Sequence, residues 1–347
     1  MVLNSRHLAY FNELKEDTTV ADETINSRVL VVDGLNTFIR SYASSPVTNT
    51  DGEHVGGISG FLLSVGHAIK LVDPTRVVIV FDGKNGSAQR RAIYPEYKSH
   101  RKVKIRLNRS DTVDKSDNQL QQLIRLTDYL EVMPYTVLVI DGSEADDVIA
   151  YFTQQCRMSS PDSVSYVMSS DKDFMQLVDK HTHVWSPTKK KLYYEQDVRD
   201  EFGVWPSNFA LYRALTGDAS DNIPGVKGLG SKSLLSKFPN IQELDTISPE
   251  QFGTEARKLA IDNPKNKIYQ KVANAQTEIE LYHSLTQLSE SMISGQNKLR
   301  IIEMLNQKQS KFSKLKFYTM LREDGMESTI RNLELWLRDT TQKLDTF

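Results

Sequence analysis

The sequence predicts an α/β fold: a central, mostly parallel sheet flanked by helices, with a helical region after it. Three observations carry that prediction. Four short, largely apolar runs, 29–32, 77–81, 137–140 and 164–168, have the length and hydrophobicity of buried strands. Helix-period segments lie between them; Ala145, Val148, Ile149 and Phe152, for example, fall at i, i+3, i+4 and i+7. Each run delivers carboxylates at or just past its end: Asp33, then Asp82, then Glu144, Asp146 and Asp147, then Asp171 and Asp173. In open parallel sheets that carboxyl edge is where ligands bind.

Residues 1–26 are polar and mixed in charge, with a short helical pattern over 7–14, and read as a peripheral extension. The run 29–32 opens the core and ends in Asp33-Gly34. A phosphatase with an aspartyl nucleophile would need a second acid two positions on, and Leu35 stands there. Gly52, Gly56, Gly57 and Gly60 lead into a helix through Phe61, Val65, Ala68 and Ile69. Spaced glycines ahead of a helix can cradle phosphate, but the Lys-Ser/Thr ending of a P-loop is missing, so a simple turn is expected.

After Asp82 the composition inverts. Lys84, Arg90, Arg91, Lys98, Arg101, Lys102, Lys104, Arg106 and Arg109 stand against one acid, Glu96, with Tyr94 and Tyr97 interleaved. Directly behind an acidic strand end, such a run reads as a phosphate-binding arm, with cations for the backbone and aromatics for stacked bases. Leu120, Leu123, Ile124 and Leu130 then mark an amphipathic helix returning to the sheet.

Ser143, with Asp146 three residues later, fits a helix start. A helix N-terminus tolerates one or two carboxylates, at about 0.3–1 kcal/mol each. The five at 144–147 and 171–173 would repel one another without a cation among them, and a hard divalent ion suits oxygen ligands. Further on, 182–185 and 192–194 read as a strand pair around a basic turn, and Trp205-Pro206 as a domain boundary. Asp218 and Asp221 follow, then a glycine-punctuated hairpin through Gly225, Gly228 and Gly230 into a helix expected to be capped by Ser231. Glycines there let a nucleic-acid backbone approach closely, and helix N–H groups can take a phosphate. The rest is helical in pattern, with a basic stretch at Lys308, Lys311, Lys314 and Lys316. The expected domains are thus 1–26, 27–205 with a basic arch over about 84–118, and 206–347 with a hairpin element over about 217–237.

A net charge of -2 over 347 residues hides this segregation of sign. The single cysteine, Cys156, permits no internal disulfide and reads as core. No apolar run exceeds five residues, so neither a membrane helix nor a signal peptide is expected, and a soluble cytoplasmic chain is.

Val32-Asp33-Gly34, Phe81-Asp82, Arg90-Arg91 with Tyr97-Lys98, Glu144-Ala145-Asp146-Asp147, Ser170-Asp171-Lys172-Asp173 and Gly217-Asp218 with Asp221-Asn222 together resemble the flap endonuclease / 5′-nuclease superfamily. Within it, Met133-Pro134-Tyr135 and Trp185-Ser186-Pro187 resemble the T-even bacteriophage ribonuclease H branch. The resemblance implies a PIN-like core and a helix-hairpin-helix element in the helical domain. It implies a first magnesium ion among Asp33, Asp82, Glu144, Asp146, Asp147 and Asp171, and a second near Asp173, Asp218 and Asp221, with manganese as a substitute. Lys98 and Arg90 would approach the scissile phosphate, and Lys102 to Arg109 would belong to an arch passing a 5′ single strand. Arg91, Tyr97, Arg101, Lys102, Lys104 and Arg106 would meet nucleic acid. Gly225, Gly228, Gly230, Ser231 and Lys232 would hold duplex, in some relatives with a potassium ion.

The implied activity is 5′→3′ exonuclease, flap endonuclease and ribonuclease H, in a monomer acting on branched or 5′-ended duplex DNA and RNA–DNA hybrid. A contact with single-stranded-DNA-binding protein and, if phage-encoded, a place in the host cytoplasm are implied as well. Two other readings stay open: a PIN-type ribonuclease, and a structure-specific DNA-binding protein without catalysis.

Overall fold

The computed structural model describes residues 26–100 and 115–346. In chain order β1 (Arg28–Asp33) is followed by α1 (Gly34–Ser44) and α2 (Gly56–Val72), then β2 (Arg76–Asp82), α3 (Ala88–Ile93) and α4 (Lys115–Glu131). Next come β3 (Thr136–Ile140), α5 (Ala145–Ser159), β4 (Val164–Met168), β5 (Thr182–Ser186) and β6 (Lys191–Tyr193). Helices α6 (Glu195–Phe202), α7 (Phe209–Thr216), α8 (Ser231–Lys237), α9 (Asn240–Glu243), α10 (Pro249–Asp262), α11 (Lys267–Asn274), α12 (Gln276–Thr286), α13 (Gly295–Asn306), α14 (Lys314–Glu323) and α15 (Leu333–Thr340) complete it. The helical pattern at 7–14 and the arm residues Arg101, Lys102, Lys104, Arg106 and Arg109 lie outside the described residues.

The strands form one sheet in the order β3-β2-β1-β4-β5-β6, parallel except for β6 against β5. Strand order therefore runs outward in both directions from β1, and the crevice between the ends of β1 and β4 is a topological switch point. The strands alternate strictly. Val29, Val31, Val78 and Val80 pack with α5, whereas Leu30, Val32, Val77 and Ile79 pack with α1, α2 and α4. Burial on both faces explains why these strands are continuous apolar runs in sequence.

The helices after residue 205 share both of these cores. Those from α7 to α13 join the cluster on the α5 face, and α14 and α15 join the cluster on the α2 face. A Cβ at Gly66 in α2 would lie 2.5 Å from Trp336 Nε1, so glycine there is set by close packing of α15. Arg76, fully buried at the start of β2, donates to the carbonyls of Met304 and Gln307 at 2.7 and 3.1 Å and to that of Leu305. It thus satisfies the orphan acceptors at the end of α13 and sits at the negative end of its dipole. Burial lowers its pKa to about 10.

Three local expectations resolve differently or more sharply. Helix α5 starts at Ala145 with Glu144 at the N-cap, so Ser143 does not cap it; the Ala145 N–H is taken by Asp82 from β2 at 2.9 Å. Gly230, with no side chain to offer, is the N-cap of α8, and Ser231 is its first residue, its hydroxyl 2.7 Å from that of Tyr212. The glycine-rich turn before α2 holds no free phosphate cradle, because Gln122 Oε1 already accepts from Gly57 N and Ile58 N at 2.8 and 3.3 Å.

Candidate active site

The strand ends place their carboxylates at one edge. Asp33 closes β1 and N-caps α1 through the Asn36 N–H, while its other oxygen accepts from Ser169 Oγ at 2.9 Å. Asp82 closes β2, Asp146 stands in the first turn of α5, and Asp171 caps the turn after β4. With Glu144, Lys98 and Arg91 they line a cavity of about 470 Å³. Burial raises the Asp33 carboxyl to about 7, with Asp171 and Asp82 adding repulsion against the hydrogen bonds from Asn36 and Ser169. Burial, then Asp171 and Asp33, push Asp146 well above the usual carboxylate range. Among the described residues, no lysine or arginine forms an ion pair with Asp33, Asp82, Asp146 or Asp171.

Behind this open group lies a compensated one. Arg90, 3% exposed, forks onto both oxygens of Asp147 and donates to Glu144 Oε2 at 2.8 Å. Its Nε is taken by the Leu285 carbonyl at 2.9 Å. Lys98 Nζ reaches Glu144 Oε1 at 2.6 Å and stands 3.9 Å from Asp221. Burial works to raise the Glu144 carboxyl, but Lys98 and Arg90 hold it below the usual range. Arg90 is therefore spent inside, away from the cavity that Lys98 and Arg91 line. Tyr97, expected to meet bases, is 2% exposed, with its hydroxyl shared between Glu144 Oε2 and Asp221 Oδ2 at 2.9 and 3.0 Å. Two buried acids needed a donor more than the ring was needed outside.

A second cluster stands beside the first. Asp173, Asp218 and Asp221 bring carboxylate oxygens within 4.8 Å of one another, and all three are buried. The Asp218 to Ile223 loop is pinned by a two-way backbone bridge of 2.7 and 2.8 Å. Gly217 and Gly225 hold the left-handed φ of 85° and 63° this turn needs, and a Cβ on Gly225 would lie 2.4 Å from Gly217 N. Arg213 on α7 bonds Asp173 at 3.0 Å and pairs with Asp218. Burial raises Asp173 to about 7, Asp171 adds to this, and Arg213 opposes it. At Asp218 burial raises the carboxyl, and Arg213 with Ser220 overcomes it and leaves it lowered. Gly228, Gly230, Ser231 and Lys232 are exposed along the hairpin into α8.

Oxygen-only donors whose charges repel one another suit a hard divalent cation, and the open cluster fits that description. The second cluster has the donors, but Arg213 and Lys98 meet part of its charge. Asp147, with both oxygens held by Arg90, and Glu144, held on both oxygens, are placed as partners of protein cations. Arg213 carried no site signal in the sequence beyond its place one helical turn before Gly217-Asp218, and Ser169, at the head of the second acidic cluster, carried none for its bond to Asp33.

The sequence profile of the family described as 5′-3′ exonuclease, N-terminal resolvase-like domain, matches residues 28–203. The 5′-3′ exonuclease of Buchnera aphidicola subsp. Acyrthosiphon pisum is 30% identical over 63% of this chain and 73% of that protein. DNA polymerase I of Caldicellulosiruptor bescii is 27% identical over 88% of this chain, which spans 34% of the polymerase's length. Bacteriophage T5 D15 flap endonuclease, solved as a pseudo-enzyme-product complex with DNA and metal ions, shares the fold at TM-score 0.62 and 19% identity, over 81% of this chain and 100% of that one. The T5 5′-exonuclease with bound zinc matches at TM-score 0.59 and 19% identity, over 86% and 98%. Carrying that profile across its sheet and the acids at its edge, the chain belongs to the family of the 5′-3′ exonuclease N-terminal resolvase-like domain.

Proposed function

We propose that this chain is a magnesium-dependent 5′→3′ exonuclease and flap endonuclease with ribonuclease H activity. It hydrolyses phosphodiesters at the 5′ ends of branched duplex DNA and RNA–DNA hybrid, and removes RNA primers with adjacent DNA in phage replication. The observation that carries this reading is the convergence of Asp33, Asp82, Asp146 and Asp171, none of them ion-paired with a lysine or arginine among the described residues, on one cavity that Lys98 also lines. A structural role would leave such acids paired, as Asp147 is. Divalent ions held by these acids would supply an activated water and stabilise charge on the transferring phosphate.

The chain's own groups then have separable tasks. Asp33, Asp82, Asp146 and Asp171 hold the first ion, and Asp173, Asp218 and Asp221 the second. Manganese, with the same oxygen preference, substitutes. Lys98, tethered to Glu144, offsets charge on the transferring phosphate, and Arg91 on the cavity rim meets the backbone. Arg101, Lys102, Lys104 and Arg106, which lie outside the described residues, would meet nucleic acid. The α7–hairpin–α8 segment, with Gly225, Gly228, Gly230, Ser231 and Lys232, holds downstream duplex as a helix-hairpin-helix, with potassium at its turn. We place the chain as a monomer in the host cytoplasm, with single-stranded-DNA-binding protein as a partner of its last helices.

End-labelled 5′-flap duplex and RNA–DNA hybrid, incubated in magnesium and in EDTA, test the reading. Short products from the 5′ side in magnesium only, lost in Asp171→Asn with DNA binding intact, are expected. Binding without cleavage under every condition would leave a non-catalytic DNA-binding protein.

A further inference from the structure

Arg213 has a place that the proposed chemistry does not use. It sits in the last turn of α7 with a side chain 16% exposed, and each of its nitrogens is engaged. Nε donates to Asp173 Oδ1 at 3.0 Å, Nη2 pairs with Asp218 Oδ2, and Nη1 donates to the Gly217 carbonyl at 3.3 Å. Asp173 belongs to the turn after β4 and Asp218 to the hairpin loop, so one planar fork ties two remote segments together. Those two acids and Asp221 are the same three whose oxygens lie within 4.8 Å of one another.

We propose that Arg213 is the resident counter-ion of this cluster, and that a divalent cation enters it only by displacing the guanidinium. The proposal rests on reading these acids as metal ligands. The physical reason is one of space and sign. A guanidinium bonded to Asp173 Oδ1 and Asp218 Oδ2 competes with a metal ion for one oxygen of each of these acids. A divalent ion placed among the same oxygens would stand within a few ångströms of a positive charge in a partly buried site, where repulsion is weakly screened. The Asp33, Asp82, Asp146 and Asp171 group holds no such ion pair among the described residues; Lys98, which lines the same cavity, acts on Asp146 only from a distance. The two clusters therefore fill at different cation concentrations, the open one first, and Arg213 sets the gap. At low magnesium the second cluster keeps its shape through an internal cation instead of flying apart.

Titration calorimetry of the full chain with magnesium chloride, without nucleic acid, separates the outcomes. Wild type is expected to bind in two steps, a tighter and a weaker one. Arg213→Gln, which keeps hydrogen bonding and removes charge, tightens the weaker step about tenfold or more and changes the tighter one far less. Arg213→Lys keeps the charge and falls between; it also serves if the glutamine variant does not fold, which circular dichroism reads. Asp146→Asn should remove the tighter step alone, a check on the metal reading that does not involve Arg213. A weaker step unchanged or abolished in Arg213→Gln, with the tighter step intact, overturns the proposal and leaves the metal reading standing. Absence of both steps in wild type and variants overturns both.

Discussion

The open cluster of Asp33, Asp82, Asp146 and Asp171 and the tied cluster of Asp173, Asp218 and Asp221 occupy neighbouring places at the sheet edge, yet the chain balances their charge differently. In the open cluster the acids repel one another around a cavity. Asp33 is raised to about 7, chiefly by burial, and burial, then Asp171 and Asp33, push Asp146 well above the usual carboxylate range. In the tied cluster Arg213 bonds Asp173 and Asp218, and Lys98 stands near Asp221. Behind both, Arg90 closes on Asp147 and Glu144 almost out of reach of water. Residue type alone thus says little about role: an aspartate with a buried arginine fork is part of the framework, and one grouped with other acids and ion-paired to no lysine or arginine is open to a cation from solution.

The sharpest way to break this comparison is Asp146→Asn. If the open cluster holds the essential ion, cleavage of a 5′-flap substrate should fall by on the order of 10³-fold while duplex binding is retained. The framework side is broken by Arg90→Met, which strands the buried Asp147 and leaves Glu144 to Lys98 and Tyr97. Loss of a buried partner costs about 3–5 kcal/mol, read as a fall in the urea midpoint. Lys98→Ala lies between the two roles, because the side chain touches Glu144 and lines the cavity. A loss of about 10²-fold in kcat, with a smaller change in KM, is expected if it acts on the transferring phosphate.

A smaller effect concerns pH. Asp33 and Asp173 rise from 3.8 to about 7 on folding, so folding favours their protonated forms. Their contribution to stability is fully present below about pH 4 and is lost as pH rises through about 7. In EDTA the melting temperature should therefore fall between pH 5 and pH 8 by several degrees, and Asp33→Asn should flatten part of that fall. An equal slope in wild type and variant would remove Asp33 as its source.

Much of the scaffold was legible before any coordinates. The runs 29–32 and 77–81 became β1 and β2 because two-face burial demands continuous apolar side chains, 137–140 and 164–168 became their neighbours β3 and β4, and the acids reached one edge because the strands are parallel. The strand pair around the basic turn at 187–190 also formed. The pairing inside the site was not legible. Arg90 meets Glu144 and Asp147 across 54 and 57 residues of sequence, and charge composition cannot show which cations will be buried by distant acids. For the same reason Tyr97, set in a basic run, looked like a base-stacking ring and is a buried donor. Asp82 as cap of α5 depends on strand register, which only the folded sheet supplies.

The central claim is that the open cluster is built to be completed by a cation, and thermal melting with increasing magnesium at pH 8 tests it most directly. Wild type should gain several degrees, following the mass-action form of ligand binding to the folded state, and Asp146→Asn should gain little. Equal gains in the two proteins, or none in wild type, would contradict the claim and return these carboxylates to the framework.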